Sequence, residues 1–535
     1  MDTSEISKIL KKSISDTKSK IINVSDYNDQ ILLQNQMEDY VELVNRIDRE
    51  HERFNKLTVN FLCYGDSKEA LDKTKKELKN TLASYSLGSA DLMFEQERSL
   101  KMCLPMVYTD LEKQYGLEMP ILATASSFPF IYQNLQDSGD SIILGCDGLG
   151  SKVFFDLWKR TGKRNNSNAV IIGKSGSGKS TLVKKIIRGN YARGAKIIAI
   201  DPERELKEMC DLIGGTWIDC GTGISGIINP LEVRKSTDDN DDEKKLSAND
   251  LSRHFQTFRT FIKYYLQDLS AYELTKIEDA LIDVYKDKNI TFDTDLSKLK
   301  SEDYPIIKDL YNKLLNNLYN AKVREEPQNV IASLEKICSL LKRAITTDAK
   351  IFNGHSSIKV NNNSDFIVLD INSLVDSDDS ILKSQFFNIL TWCWNEICKN
   401  KDEQVILVCD EAHLIIDPNN RDGIDFLKKA SKRIRKQNGS LILISQNLID
   451  FCSPEIERYG QVIIDNSSYL FVMSQGQKEI EAVANMLSLS ESERQFLTTA
   501  SQGCGLLVVG QDTRLPIQVE LRVEEQELFG TAGGK

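Results

Sequence analysis

The 535 residues include only four histidines (His51, His254, His355 and His413), and they lie far apart. This scarcity argues against a zinc site, which draws on closely spaced His and Cys ligands. Eleven cysteines are scattered with no Cys-x-x-Cys, the nearest pair being Cys393 and Cys398. An odd count without a framework excludes a disulfide scaffold and reads as reduced, cytosolic thiols. No run approaches the ~18 apolar residues of a transmembrane helix. Met1 to Lys20 is rich in Ser and Lys and has no apolar h-region, which excludes a secretory signal. Positive charge is also short: 68 Lys and Arg stand against 79 Asp and Glu, a formal net charge of −11. Such a surface repels a phosphate backbone, so only local basic patches remain for nucleic acid.

What is present is globular: 41% hydrophobic and 27% charged residues. At roughly 100–200 residues per domain, the length implies two to four domains. The first residues, to about 25, are polar and expected to be flexible. Asp39 to Phe54 has a helical pattern with Leu43, Val44, Ile47 and Phe54 on one face. Leu57, Val59, Phe61 and Cys63 alternate as a strand, and Ser67 to Tyr85 returns to helix, with Gly88 as its stop. Residues 1–135 are thus read as an N-terminal α+β domain. Ile142 to Cys146, the turn Asp147-Gly148 and Val153 to Leu157 form a predicted hairpin.

From Ala169 the texture changes. Short apolar runs appear at Ala169 to Ile172, Ile197 to Ile200, Phe366 to Leu369, Val405 to Val408, Leu441 to Ile444, Leu470 to Met473 and Leu506 to Val509. Continuous runs of this kind suit strands buried on both faces of a parallel sheet. Helical patterns lie between several of them, which gives a doubly wound α/β fold. The sheet is interrupted. Five of the six residues from Asp238 to Glu243 are acidic and read as a solvated loop. Beyond it Leu251, Phe255, Phe258, Ile262 and Leu266 recur at helical spacing, and Ser270 with Glu273 forms a capping box before the next helix. The predicted division is 136–235 for the first part of the α/β domain, 236–350 for an all-α insertion and 351–535 for the second part.

Gly173-Lys174-Ser175-Gly176-Ser177-Gly178-Lys179-Ser180 matches G-x-x-x-x-G-K-[ST] in full, with Thr181 next. The glycines let backbone N–H groups turn around phosphate oxygens, and the following helix aims its positive end at them. Lys179 is assigned to the β and γ phosphates and the Ser180 hydroxyl to Mg²⁺. Val405 to Glu411 supplies the second half. An apolar strand delivers Asp410 to its C-terminal end, where it would hold Mg²⁺, and Glu411 follows as a base for the attacking water. His413 is open to either a functional or a structural reading, since a single histidine after a strand is more often structural. Gln446, at the end of Leu441 to Ile444, is placed to sense the γ-phosphate and the water. Lys428 to Lys436 holds six basic residues in nine, with Ile424, Leu427, Ala430 and Ile434 available to face the core. It reads as a solvated face, a polynucleotide contact or a source of charge for a neighbouring subunit's ATP; Arg433, Arg435 and Arg514 are the candidates for that charge.

In this order the pieces resemble the main ATPase of type IV secretion and conjugation systems, the TraE/CagE/TrbE type within the FtsK–HerA superfamily of P-loop motors. Ser127-Phe128-Pro129-Phe130 and Ile143-Leu144-Gly145 precede the P-loop as in that family. Ala199-Ile200-Asp201-Pro202-Glu203 and Gly226-Ile227-Ile228-Asn229-Pro230-Leu231 follow it. Leu269-Ser270-Ala271-Tyr272-Glu273, Ile351-Phe352-Asn353-Gly354-His355, Leu369-Asp370-Ile371 and Arg435-Lys436-Gln437-Asn438-Gly439 with Ser445-Gln446-Asn447 are similar too. The resemblance implies a RecA-like ATPase domain, ATP and Mg²⁺ as ligands, and the roles given above for Lys179, Ser180, Asp410, Glu411 and Gln446. It implies hexameric rings, peripheral at the inner face of the bacterial cell membrane, with channel subunits and a coupling protein as partners. The work expected is channel or pilus assembly and the transfer of DNA or protein. The family's N-terminal domain is usually longer than the stretch before Asp147. DNA contact through Lys428 to Lys436 is a further expected partner contact of this reading. Two alternatives stand beside it. One is a FtsK- or HerA-like DNA translocase or a coupling protein. The other is a nucleotide-gated scaffold acting through its helical insertion.

Overall fold

The computed structural model describes residues 3–24, 26–50, 52–104, 111, 115–126, 134–223, 226–234, 248–358, 364–415, 422–446, 457–510 and 513–529. Ser127 to Phe130, Asp238 to Glu243 and Asn447 lie outside these residues. The chain divides into two compact units, Met1–Tyr132 and Gln133–Lys535.

The first unit begins with two helices, α1 (Thr3–Asn23) and α2 (Tyr27–Glu50). The start expected to be flexible is therefore helical. Its physical reason is a small apolar seam in which Ile6 and Leu10 of α1 pack with Leu43, Ile47 and Phe54. Helix α2 stops at Glu50, so Phe54 belongs instead to strand β1 (Phe54–Leu57). Helices α3 (Lys68–Ser84) and α4 (Gln96–Cys103), strand β2 (Leu117–Pro120) and helix α5 (Ile121–Ser126) complete the described part. The strand expected over Leu57 to Cys63 ends at Leu57, because its antiparallel partner β2 is only four residues long. Helix α3 begins at the Ser67 cap, whose hydroxyl accepts the Ala70 N–H at 3.1 Å.

The second unit opens on the hairpin β3 (Ile142–Asp147) and β4 (Lys152–Phe155). Then come β5 (Ala169–Ile172), α6 (Lys179–Tyr191), β6 (Lys196–Asp201), α7 (Lys207–Leu212) and β7 (Thr216–Asp219). A run of helices follows: α8 (Ala248–Tyr265), α9 (Ala271–Asp287), α10 (Ile307–Val323), α11 (Gln328–Leu341) and α12 (Ala349–Phe352). The chain returns to the sheet with β8 (Phe366–Asp370), α13 (Asp379–Cys398), β9 (Val405–Cys409), α14 (Asp422–Arg433) and β10 (Gly439–Ser445). It ends with α15 (Glu457–Asp465), β11 (Tyr469–Met473), α16 (Glu479–Leu487), α17 (Glu491–Thr499), β12 (Cys504–Val509), β13 (Thr513–Val519) and α18 (Val523–Phe529).

Among the described residues, eleven strands form one sheet in the order β4-β3-β13-β12-β11-β5-β10-β9-β6-β8-β7. From β11 to β7 every neighbouring pair is parallel. From β4 to β11 every pair is antiparallel. Leu506 to Val509, expected in the parallel sheet, thus runs the other way. The two helices between β11 and β12, α16 and α17, bring the chain back to the end of the sheet where β11 finished, so β12 starts there with Gly505 beside Met473. The short connection to β13 then permits only antiparallel pairing. The period-2 alternation of side chains divides each central strand between two cores. Val170, Ile172, Ile198, Ile200, Leu407 and Cys409 enter one; Ala169, Ile171, Ile197, Ala199, Ile406 and Val408 enter the other.

The helical run does not have a core of its own. Its Phe258, Phe261, Tyr265, Leu281 and Leu310 belong to the same cluster as one face of the sheet. Aromatic contacts continue the join: Phe387 of α13 lies 5.6 Å from Phe426 of α14, edge-on, and 5.9 Å from Tyr264 of α8, tilted. The capping box at α9 forms, with Ser270 N–H donating to Glu273 Oε2 at 2.6 Å and Glu273 N–H donating to Ser270 Oγ at 3.3 Å. On the opposite face α6 and α18 pack together. Lys185 Nζ meets Glu525 Oε2 at 2.6 Å, and Lys184 Nζ donates to the Phe529 carbonyl at 2.9 Å. No helix among the described residues is long and apolar enough to cross a membrane.

Candidate active site

Strand order builds the crevice. Strand β10 lies between β5 and β9, with Ser445 paired to Ile172 and Leu443 to Cys409. Three parallel strands thus end side by side, and their next residues are Gly173, Gln446 and Asp410. In an open α/β sheet this carboxyl edge is where a ligand sits.

The loop after β5 turns tightly into α6. A Cβ on Gly173 would stand 2.7 Å from Met473 Cβ and from Ser177 Oγ, so no side chain fits. Gly178 caps α6 at φ +98°, a left-handed conformation that suits glycine. The Ser177 carbonyl accepts the Gly503 N–H at 2.9 Å, which ties the loop to the start of β12. Lys179 is buried and folded over its own loop, donating to the carbonyls of Gly173 at 2.8 Å and Lys174 at 3.2 Å. Burial holds its ammonium below the ordinary lysine value, although the charges of Glu411, Asp410, Glu205 and Glu203 oppose this. Among the described residues the buried Ser177 hydroxyl has no hydrogen-bond partner. A loop with a retracted lysine and an orphaned buried hydroxyl has donors to spare for phosphate oxygens.

Asp410 Oδ1 accepts the N–H of Glu411 at 2.9 Å. Burial, with the nearby charges of Glu411, Glu205 and Asp201, pushes the Asp410 carboxyl well above the ordinary range. The Asp410 carboxylate is an oxygen donor of the kind a hard divalent cation takes. Among the described residues no three His, Cys, Asp or Glu side chains gather as a metal cage. Glu411 is buried, with its backbone at φ +49°, sparsely populated by residues other than glycine. Gln446 Nε2 donates to Glu411 Oε1 at 2.5 Å, and His413 Nδ1 lies 2.9 Å from Oε2, close enough for an ion pair but not aligned as a straight hydrogen bond. Burial raises the Glu411 carboxyl, but His413, Gln446 and the charge of Lys179 outweigh it, so the group lies below the ordinary carboxylate value.

The TraG P-loop domain family matches residues 145–503, more than half of the chain. The solved VirB4 of Thermoanaerobacter pseudethanolicus is 40% identical, with TM-score 0.67 over 74% of this chain and 100% of that one. The chain belongs to this family of P-loop ATPases. It is a motor ATPase of the type IV secretion and conjugation class. An uncharacterised Bacillus anthracis protein is 23% identical over 99% of this chain and 87% of its own length. Protein TraC of Escherichia coli K12 is 22% identical over 79% of this chain and 46% of TraC, so the chain spans under half of that relative.

For this VirB4-type ATPase the structure brings Gly173 to Thr181, Asp410, Glu411, Gln446 and His413 to one sheet edge. It does not bring the arginines there. Strand β13 runs antiparallel to β12, and its Arg514 pairs with Val508 at the opposite end of the sheet. Its guanidinium is engaged by the carbonyls of Leu487 at 2.6 Å and Ser488 at 3.2 Å, and by Glu493 at 3.1 Å. Arg514 thus closes the end of α16 and does not touch this chain's nucleotide crevice. The basic segment is displaced likewise. Ile424, Leu427, Ala430 and Ile434 do face the core. But α14 carries the chain back, so Ser431 lies beside Asn168, ahead of β5, and Asn438 meets Val405 at the start of β9. Arg433 and Arg435 are therefore remote from the P-loop of their own chain. Mid-helix, Lys428 and Lys429 pair with Asp425 at 2.7 and 3.0 Å.

Three acidic residues near the crevice, Asp201, Glu203 and Glu205, are not assigned to the site from the sequence, although Asp201 and Glu203 lie in a family-like stretch. After β6, buried Asp201 accepts the N–H groups of Glu205 at 3.1 Å and Leu206 at 2.8 Å. The turn so fixed places Glu203 and Glu205 where their charges bear on Lys179. Burial raises Asp201 to about 6 and, with Glu411 and Glu205 nearby, raises Glu203 as well. The signal that would find them is the adjacency of β6 and β9, a long-range pairing.

Proposed function

We propose that this chain hydrolyses ATP with Mg²⁺ at the β5–β10–β9 edge. One observation carries the reading: Gln446 and Glu411 are in direct contact beside a phosphate-binding loop whose lysine is retracted onto its own carbonyls. Lys179 and the N–H groups of the Gly173 to Thr181 loop bind the phosphates. Ser180 and Asp410 are the residues to hold Mg²⁺, which supplies charge neutralisation at the β and γ phosphates. Glu411 takes the proton of a water whose oxygen attacks the γ-phosphorus; the bond to the β–γ bridging oxygen breaks, giving ADP and phosphate. Gln446 orients that water.

The same reading extends to the assembly. Turnover powers channel or pilus assembly and movement of DNA or protein, with channel subunits and a coupling protein as partners. A hexameric ring at the inner face of the cell membrane is the form in which it acts. The VirB4-type relationship supports this over a FtsK- or HerA-like translocase and over a nucleotide-gated scaffold. The test uses the full chain. Glu411→Gln is expected to bind a fluorescent ATP analogue normally and to lose turnover by about 10²–10⁴-fold, whereas Lys179→Ala loses binding as well. Normal turnover in Glu411→Gln overturns the base assignment. An ATPase rate per chain that rises with concentration supports assembly, and a flat one counts against it.

A further inference from the structure

The helical turn Ala412–Ile415 immediately follows the catalytic carboxylate. Its first bond runs from the Leu414 N–H to the Glu411 carbonyl at 2.9 Å. This fold-back, with Glu411 at φ +49°, returns the His413 ring to the side chain of Glu411. The two carboxylate oxygens then have different neighbours. Oε1 receives Gln446 from β10, and Oε2 faces His413 from the residue's own turn. Oε1 is hydrogen-bonded, Oε2 has the 2.9 Å approach of His413 Nδ1 without hydrogen-bond alignment, and the side chain is buried.

We propose that His413 is a positioning residue that tethers Oε2 of Glu411, so that Oε1 alone is exchanged between Gln446 and the attacking water. The argument is geometric. In the proposed mechanism Gln446 orients the water at the γ-phosphate, so its bond to Oε1 opens in each cycle. A glutamate released on that side has three side-chain torsions with which to leave the attack line. The tether on Oε2 comes from the same turn as the carboxylate and does not depend on Gln446. The strained backbone at Glu411 fits this purpose, because such a conformation persists only where the surroundings fix it. The proposal rests on Glu411 being the base. It assigns the sequence's open histidine to the reaction rather than to the core.

Steady-state kinetics on the full chain decide it. His413→Leu removes the ring nitrogen, and His413→Asn returns an amide N–H near the place of Nδ1. A misdirected base costs on the order of tenfold or more in rate. His413→Leu is therefore expected to lose about tenfold or more in kcat, with KM for ATP and melting temperature unchanged. His413→Asn is expected to recover most of the loss. Unchanged kcat in His413→Leu, a loss expressed in KM, or His413→Asn as poor as His413→Leu overturns the tether. If His413→Leu does not fold, His413→Ser, too short to reach Oε2, takes its place under the same criteria. Glu411→Gln separates the two failures. If it turns over normally, the base reading falls and the tether with it. If it is inactive while His413→Leu is fully active, the tether alone falls.

Discussion

Asn168 makes the most demanding test of how the motor unit is joined, and its cost can be worked out bond by bond. Its side chain is 1% exposed. Nδ2 donates to the Ser431 carbonyl at 2.7 Å and to the Asn466 carbonyl at 3.0 Å, while Oδ1 accepts the Leu441 N–H at 3.1 Å. Ser431 is in the last turn of α14 and Asn466 directly follows α15, so both carbonyls belong to helix ends that lack intrahelical donors. The Leu441 amide continues the β10 ladder one step beyond the start of β5. Asn168→Ala removes three hydrogen bonds and orphans three buried backbone groups. At roughly 1–3 kcal/mol for each group the sum is about 3–9 kcal/mol, and local relaxation holds the loss toward the lower end, roughly 4 kcal/mol. For a unit as large as Gln133–Lys535, ~2.1 cal/mol/K per residue turns 4 kcal/mol into a melting-point fall of about 5 °C. Asn168→Asp is expected to be worse, because it sets an anion against two carbonyls. Differential scanning fluorimetry ranks the three proteins, and KM for ATP should be unchanged because the site lies at the other end of the sheet. A melting point for Asn168→Ala equal to wild type, or Asn168→Asp more stable than Asn168→Ala, refutes the reasoning.

Three further outcomes follow from the geometry. Gly173→Ala sets a methyl 2.7 Å from Met473 Cβ and Ser177 Oγ; it should weaken binding of a fluorescent ATP analogue by about tenfold, near 1.4 kcal/mol, and unchanged affinity contradicts it. Glu525 is held below its ordinary value, since its bonds to Lys185 and the Arg522 N–H and its ion pairs with Lys185 and Arg188 outweigh the opposing effect of burial. A depressed carboxyl contributes stability that is full above its unfolded value, about 4.3, and lost as pH falls through the folded value. Melting points of wild type and Glu525→Gln should therefore converge as pH falls below about 4, and a constant gap counts against the pairing. Arg514→Ala releases the Leu487 and Ser488 carbonyls and should cost about 1–2 kcal/mol of stability while leaving kcat intact. A collapse of kcat at unchanged melting temperature shows instead that Arg514 reaches a neighbouring chain's nucleotide.

What was legible in the sequence was local. Val405 to Val408 and Ala169 to Ile172 declare themselves as strands because burial on both faces demands apolar residues without a break. Gly173 to Ser180 is legible because phosphate chemistry fixes its glycines and its lysine. Direction and adjacency were not legible. Leu506 to Val509 is as apolar as the parallel strands, and nothing in such a run says which way it points. Arg433 follows Asp410 closely in sequence, yet α14 is twelve residues long. At 1.5 Å per residue it carries the chain roughly 18 Å back along the sheet. Glu203 escaped notice for the converse reason: it is far from Asp410 in sequence, and the pairing of β6 with β9 brings its turn to the same edge. The seam of Ile6, Leu10, Leu43, Ile47 and Phe54 was half legible. Its α2 residues showed helical spacing, whereas the Lys-rich surface of α1 hid the two residues that pack on them.

Charge is unevenly placed along the strands of the second unit. At the carboxyl edge Asp201, Glu203, Glu205, Asp410 and Glu411 surround one lysine of the P-loop, Lys179. Carboxylates so placed repel a polyphosphate, so the affinity of this edge for nucleotide depends on the cation that comes with it. At the other end stand Lys432, Arg433, Arg435 and Lys436. Strand β10, seven residues long, separates the two ends. At ~3.3 Å per residue that distance is about 20 Å, beyond a Debye length at physiological salt. A charged partner seated on the basic end is thus screened from the phosphates and can influence hydrolysis only through movement of rigid elements. Asn168 holds the two that matter, α14 through Ser431 and β10 through Leu441. Gln446 is the next residue beyond β10. Asn168 and β10 thus form a continuous hydrogen-bonded connection from α14 to Gln446, whose amide donates to Glu411 at the carboxyl edge.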